Sequence, residues 1–210
     1  MKKHLLWLLC LFAVPVYADP GLFSATGLAG WEALTFKKKT PTTYTLLQDG
    51  GTQVLGAECN ASASGHIAKG KIDLTRAPKL SWRWNVENVY DGIREREKPG
   101  DDFPARVYVV RDGGLAVWRT RSLVYVWASE SAIGSDWPNP YASQAHHVAL
   151  QSGTSKLGQW QSESRDLRAD FKRYFDLDVD ELDGVALMSD CDDAKGKSRA
   201  RYGDIRLTAR

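Results

Sequence analysis

The sequence predicts an all-β protein, built as a β-sandwich or barrel with one short amphipathic helix. Three observations carry this prediction. Short runs of β-forming residues recur along the chain, Gly, Pro, Asn and Asp separate these runs, and one segment has helical spacing. With 43% hydrophobic and 26% charged residues, the 210-residue chain has an ordinary globular composition. We therefore expect one folded domain, residues 19–210, behind a short N-terminal segment.

The N-terminal residues 1–18 have the features of a cleaved secretory signal. Lys2 and Lys3 precede an apolar run that extends from Leu5 to Val16, and Ala18 is a small residue of the kind that signal peptidase accepts before its cut. The run is too short for a transmembrane anchor, which needs about 20 apolar residues. We predict a periplasmic or secreted protein that keeps no transmembrane anchor after signal cleavage.

The charge balance argues against nucleic acid as a partner. The chain has 28 Lys and Arg against 26 Asp and Glu, and the excess is accounted for by Lys2 and Lys3. Residues 19–210 are therefore formally neutral and lack the positive surface that dominates nucleic-acid binding.

The predicted strands are recognised by alternation and by apolar runs. Leu80, Trp82, Trp84 and Val86 fall on every second position and so share one face of the clearest strand. Other runs are apolar on both faces, as expected of inner strands that are covered on both sides. In chain order, the predicted strands are residues 31–38, 42–47, 53–58, 67–74, 80–86, 105–111, 123–128, 146–151, 185–189 and 205–208.

The helix is predicted from apolar residues near position 170. Leu167, Phe171 and Phe175 recur at i, i+4 and i+8, and charged residues occupy the other face. Ser164 or Asp166 is the expected N-cap, because either side-chain oxygen accepts a free N–H of the first turn.

Two cysteines, Cys59 and Cys191, remain after the signal is removed. Thiols exported to an oxidising compartment tend to pair, so a disulfide between them is one interpretation. The alternative is two buried free thiols.

Asp101 and Asp102 follow a Pro-Gly pair and precede Arg106. Two adjacent carboxylates in a loop are chemically suited to bind a cation, to accept hydrogen bonds from sugar hydroxyls, or to act as general acid and base. The structural alternative is a turn, because Asp side chains often bond their own backbone.

A second acidic group follows a predicted strand. Asp190, Asp192 and Asp193 offer carboxylates to a calcium ion, which prefers six to eight oxygen ligands, and Asp204 follows at a distance. The common calcium-loop pattern fails here because Ala194 occupies one of its ligand positions. We expect no cofactor apart from this candidate structural calcium.

Other catalytic classes lack their motifs. His146 and His147 point to opposite faces of a strand and do not form a zinc pair, and the chain contains neither a nucleophile elbow nor a phosphate-binding loop. Glycoside hydrolysis stays open, since it requires only two carboxyl groups held about 5–10 Å apart.

Tryptophan is abundant: seven tryptophans follow residue 18. Trp82 and Trp84 lie on the apolar side of their strand and are predicted to belong to the core. Trp137 and Tyr141 lie in a proline-containing segment that predicts an exposed loop, so we expect these two to offer rings to a sugar.

Taken together, these segments resemble a bacterial family of secreted proteins, domain-of-unknown-function family 3047. The resemblance covers most of residues 19–210, in order, and departs from the family pattern at Asp193, where Asn is expected. It implies a galactose-binding-like jelly-roll β-sandwich and no particular reaction. The matching stretches are residues 78–84, 100–110, 123–127, Asp170 with Phe175, 185–193 and 202–205.

The leading hypothesis is non-catalytic binding of a carbohydrate or cell-envelope glycan. Two alternatives remain: a glycan-active enzyme with paired aspartates, and an envelope protein-interaction module that uses an exposed strand edge or residues 87–98. The predicted ligand-binding residues are Asp101, Asp102, Arg106, Trp137, Tyr141 and Asp204; Asp190, Asp192 and Asp193 are the candidate calcium ligands.

Overall fold

A computed structural model describes residues 28–209, which form two antiparallel-rich sheets packed face to face. The predicted signal segment and its cleavage point lie outside these residues. The strands are Glu32–Thr35 (β1), Thr43–Asp49 (β2), Thr52–Asn60 (β3), Ala63–Asp73 (β4), Lys79–Val86 (β5), Arg106–Arg111 (β6), Arg121–Ala128 (β7), Asp136–Pro138 (β8), Ala145–Ser152 (β9), Gln161–Asp166 (β10), Glu181–Asp190 (β11) and Lys197–Thr208 (β12). The helix α1 is Leu167–Phe175, and short 3₁₀ turns cover Lys98–Gly100 and Val117–Arg119.

The larger sheet has the order β1-β4-β11-β6-β7-β9-β8, and the smaller sheet has the order β10-β5-β12-β3-β2. The predicted jelly-roll β-sandwich with one short helix is confirmed. The apolar positions of β5 alternate as predicted, and Trp82, Trp84, Tyr125 and Trp127 fill the space between the sheets.

The helix closes one side of the core. Leu167 and Phe171 are fully buried, and the Asp166 side chain caps the first turn by accepting a hydrogen bond from the Ala169 N–H at 3.1 Å. Of the two predicted caps, Asp166 is the one used. The helix is anchored further because Tyr125 Oη donates to Asp170 Oδ2 at 2.7 Å.

Two strands, β8 and β10, were not predicted from the sequence. β10 is entirely polar and lies at the edge of the smaller sheet, where pairing with β5 provides order without an apolar face. β8 has three residues and pairs only with β9 in the described chain. Sequence patterns depend on burial, so short edge strands of this kind leave little signal.

Polar side chains of β6 and β11 point to the outer face of the larger sheet, the face turned away from the smaller sheet. Val107 and Leu187 point into the core, so the alternating neighbours Arg106 and Met188 point outward, and these two are directly paired between β6 and β11. None of the helices in residues 28–209 has the length and apolar composition required to cross a bilayer.

Candidate functional site

A cavity of about 370 Å³ opens on this outer face, where β11 ends and β6 begins. We call it the aspartate pocket. Strands supply its floor, and the loops that follow β1, β5, β8 and β11 supply its walls. Its lining residues are Phe36, Lys37, Lys39, Ala63, Asp101, Arg106, Tyr108, Asn139, Tyr141, Met188, Asp190, Asp192 and Asp193.

The floor is organised by a buried ion pair between Arg106 and Asp190, whose side chains are 3% and 5% exposed. Arg106 Nε donates to Asp190 Oδ1 at 3.0 Å, and Nη2 donates to Asp190 Oδ2. Arg106 Nη2 also donates to the Asp101 carbonyl at 2.6 Å. Burial raises the pKa of Asp190, and the Arg106 charge opposes that rise.

Asp101 forms part of the wall. Its Oδ2 accepts a hydrogen bond from Asn139 Nδ2 at 3.2 Å, and its Oδ1 lies 3.5 Å from Arg106 Nη1 and 3.5 Å from His147 Nε2. Burial raises the pKa of Asp101, whereas Arg106 lowers it. Sequence patterns did not indicate Asn139 or His147 as site residues, because the pairing of β8 with β9 brings both of them to the site.

Asp102 turns away from its neighbour and does not line the pocket. Its Oδ2 accepts a hydrogen bond from the Ala194 N–H at 2.5 Å, and its Oδ1 is buried without a hydrogen-bond donor. Burial raises the pKa of Asp102 to about 6, against the opposing effects of the Ala194 N–H and the Arg106 charge. The two adjacent aspartates therefore lie in different environments, Asp101 in the pocket wall and Asp102 outside the pocket.

The mouth of the pocket combines charge with exposed rings. Asp192 is paired with Lys39, and Asp193 Oδ2 accepts a hydrogen bond from Tyr141 Oη at 2.9 Å. Tyr141 is 57% exposed and Phe36 is 44% exposed, so both rings are open to solvent beside the carboxylates. Phe36 and Lys39 come from the loop after β1, a contribution that the sequence did not indicate.

The structure corrects the placement of Trp137. It lies in β8 rather than in an exposed loop, and only 5% of its surface is accessible. Its ring stacks on His147 at 5.5 Å between centroids, and the Arg96 guanidinium lies over the ring at 4.9 Å. Trp137 therefore packs in the outer hydrophobic cluster with Phe103 and offers no open face to a sugar.

Asp204, another predicted ligand-binding residue, lies away from the pocket. It lies in β12, which pairs with β3 and β5 in the smaller sheet, and its carboxylate is 3.5 Å from Arg206 Nη2. It does not line the pocket, because the pocket lies on the far side of the larger sheet.

The predicted disulfide between Cys59 and Cys191 is confirmed, with a Cα–Cα distance of 6.1 Å. It joins the end of β3 in the smaller sheet to the residue after β11 in the larger one. Cys191 lies between Asp190 and Asp192 in the chain, so the cross-link fixes the backbone that carries both carboxylates.

A family model described as "Protein of unknown function (DUF3047)" matches residues 29–206. The chain belongs to this family. The match confirms the resemblance inferred from the sequence motifs. A search of the curated proteins found no match.

Solved structures similar to this DUF3047 protein are also β-sandwiches. A cellulase derived from the Cel12A enzyme of Rhodothermus marinus has a TM-score of 0.50 and 10% identity, covering 89% of this chain and 94% of that one. The family 30 carbohydrate-binding module of a Clostridium thermocellum cellulase has a TM-score of 0.43 and 10% identity, covering 85% and 98%. TmCBM61, solved with β-1,4-galactotriose, has a TM-score of 0.40 and 9% identity, covering 87% and 90%. At such identities the likeness concerns the fold alone.

Proposed function

We propose that the protein binds a carbohydrate in the aspartate pocket without converting it chemically. The observation that carries this proposal is the combination at the pocket mouth of solvent-exposed rings, Tyr141 and Phe36, with the carboxylates of Asp192 and Asp193. The volume of the aspartate pocket, about 370 Å³, falls in the range of small-molecule sites.

The chemistry of a sugar matches both kinds of group. Sugar hydroxyls donate hydrogen bonds, and ionised carboxylates accept them through about four lone-pair positions each. The apolar C–H face of a sugar ring packs on an aromatic ring, and burying such a ring removes apolar surface from water. Asp101 and Asn139, already bonded to each other at 3.2 Å, present further polar atoms on the wall.

The arrangement favours binding over hydrolysis. A glycosidase needs two carboxyl groups on either side of one bond, one of them free to donate a proton. Asp101 lines the pocket, whereas Asp102 does not, so the adjacent aspartates do not flank a common substrate. Both oxygens of Asp190 already accept hydrogen bonds from Arg106, which engages this carboxylate on the pocket floor.

A glycan panel with matched variants tests the proposal. The panel contains cello-, xylo- and galacto-oligosaccharides and peptidoglycan fragments, and calorimetry then measures affinity for the strongest ligand. We expect Tyr141→Ala to weaken binding about tenfold, a change of about 1.4 kcal/mol. Trp118→Ala is the control, because Trp118 is 65% exposed but lies in the β6–β7 connection, at the other end of β6 from the pocket.

Equal affinity of Tyr141→Ala and the wild type would contradict the assigned site. Release of reducing ends from the bound glycan would contradict the non-catalytic assignment. A folded protein that binds nothing on the panel would contradict glycan binding and favour a protein partner. In that case, the exposed apolar side chains between β6 and β7, namely Leu115, Val117 and Trp118, become the surface to test by substitution.

We also infer that the protein works in the periplasm or outside the cell. The Cys59–Cys191 disulfide supports this location, because disulfides persist in oxidising compartments. Mass spectrometry of the exported protein should find a mature N-terminus at Asp19, and an intact Met1 would contradict the inference.

A further inference from the structure

Asp102 is a buried carboxylate with an unsatisfied oxygen. The residue is 0% exposed, its Oδ2 accepts a hydrogen bond from the Ala194 N–H, and its Oδ1 has no donor. No ion pair joins it to a basic side chain within residues 28–209. Burying an isolated ionised carboxylate costs free energy, so a positively charged partner at this oxygen would stabilise the protein.

Two further carboxylates converge on Asp102. One oxygen from each of Asp102, Asp190 and Asp192 lies within 4.8 Å of those from the other two. Two ligands of one calcium ion, each about 2.3–2.6 Å from the metal, are at most about 5 Å apart, so the three oxygens are spaced as calcium ligands are. Magnesium holds its ligands at about 2.0–2.1 Å and requires a tighter group, with a largest separation of about 4 Å.

The neighbouring basic groups leave room for a cation. Asp190 accepts three hydrogen bonds, from the Phe103 N–H and from two atoms of Arg106, which leaves about one of its four lone-pair positions free. Lys39 pairs with Asp192, but its side chain is 42% exposed and is free to swing into solvent. The three carboxylates thus face two basic side chains, Arg106 and Lys39, and a cation can displace Lys39.

We propose that Asp102, Asp190 and Asp192 form a calcium site beside the aspartate pocket. Asp190 and Asp192 line the pocket, so the ion enters from it and water completes the coordination shell. The site differs from the sequence prediction in one ligand: Asp193 bonds Tyr141 Oη, and Asp102 takes its place. Calcium binding by these three residues does not depend on the proposed glycan.

Calorimetry with CaCl₂ and thermal melting test the site on the disulfide-intact protein without glycan. At about 5 mM CaCl₂ we expect the melting temperature to rise by about 5 °C relative to EDTA, and MgCl₂ to give a smaller rise. Asp102→Asn, which keeps the shape of the side chain, should abolish the calcium shift, whereas the control Asp204→Asn should retain it. In EDTA, Asp102→Asn should melt no lower than the wild type, because it removes an unpaired buried anion.

A second variant is expected to change calcium affinity in the opposite direction. Lys39→Met removes the competing ammonium and should tighten calcium binding several-fold. The proposal is overturned if the wild type shows neither calcium heat nor a melting shift, if Asp102→Asn keeps the shift, or if Lys39→Met weakens calcium binding. Each of these results is obtained without sugar, so it is independent of the glycan experiment.

Discussion

Replacing Arg106 by Met should be among the most destabilising single changes at the pocket. Arg106 is 2% exposed and donates to Asp190 at 3.0 Å and to the Asp101 carbonyl at 2.6 Å, while its guanidinium lies 4.6 Å from the centre of the Phe103 ring. Methionine fills much of the same volume but leaves Asp190 as a buried charge without its partner. Breaking a buried ion pair in this way costs about 3–5 kcal/mol, so we expect a loss of that size in unfolding free energy.

Urea denaturation in EDTA, with the disulfide intact, measures this loss without interference from calcium. The matched control is Arg168→Met, because Arg168 pairs with Asp180 at 2.7 Å but the two side chains are 39% and 69% exposed. Exposed pairs contribute about 0–1 kcal/mol, so the control should change stability little.

A double variant separates lost charge pairing from lost packing. Adding Asp190→Asn to Arg106→Met removes the orphaned charge while an amide oxygen still accepts the Phe103 N–H, and we expect about 1–2 kcal/mol to be recovered. A cost below about 1 kcal/mol for Arg106→Met, or a double variant as unstable as the sum of the single variants, would refute the reasoning.

Three further measurements test other parts of the molecule. Replacing Cys59 and Cys191 by Ala removes a cross-link between positions separated by 132 residues, and the chain-entropy model predicts a loss of about 5 kcal/mol in urea denaturation; a loss under about 1 kcal/mol would contradict it. Burial and the positive charge of Arg106 lower the pKa of His147 well below 6.5 in the folded protein. As the pH falls, His147 therefore binds a proton in the unfolded chain before it does so in the folded protein. From about pH 7 to about pH 5 the wild type should therefore lose up to about 2 kcal/mol relative to His147→Gln, and parallel stability curves would contradict a neutral buried histidine. Asp166→Ala removes the bond to the Ala169 N–H and should cost about 1 kcal/mol, measured against Asp91→Ala at an exposed aspartate outside the helix; equal costs would argue against the cap.

Local patterns in the sequence determined the class of fold and several of its elements. Alternation at residues 80–86 predicted a strand with Trp82 and Trp84 in the core, and the spacing from Leu167 to Phe175 predicted the helix with its cap. These predictions hold because burial of one face imposes a period of two on a strand and of 3.6 on a helix. The pattern is visible in a few consecutive residues, whatever the rest of the chain does.

The aspartate pocket needed the tertiary structure. The sequence marked Asp101, Asp190 and Tyr141 as chemically suited to bind, but the pairing of β6 with β11 is what places Arg106 beside Asp190, 84 positions away. Lys39 reaches Asp192 across 153 positions, a contact with no local signature.

The same limit explains why two of the predicted ligand-binding residues do not line the pocket. Trp137 lies near prolines and polar groups, yet pairing with β9 buries its ring, and Asp204 lies in the smaller sheet although it follows the acidic residues 190–193 along the chain. Periodicity along the chain records whether a face is buried, so the sequence by itself predicted the helix and most of the strands, while residues 1–18 predicted export. It does not record which strands become neighbours or which loop covers which face. Strand order and register, with the loops that they bring together, decided which carboxylates meet, because those contacts arise between segments far apart in the chain.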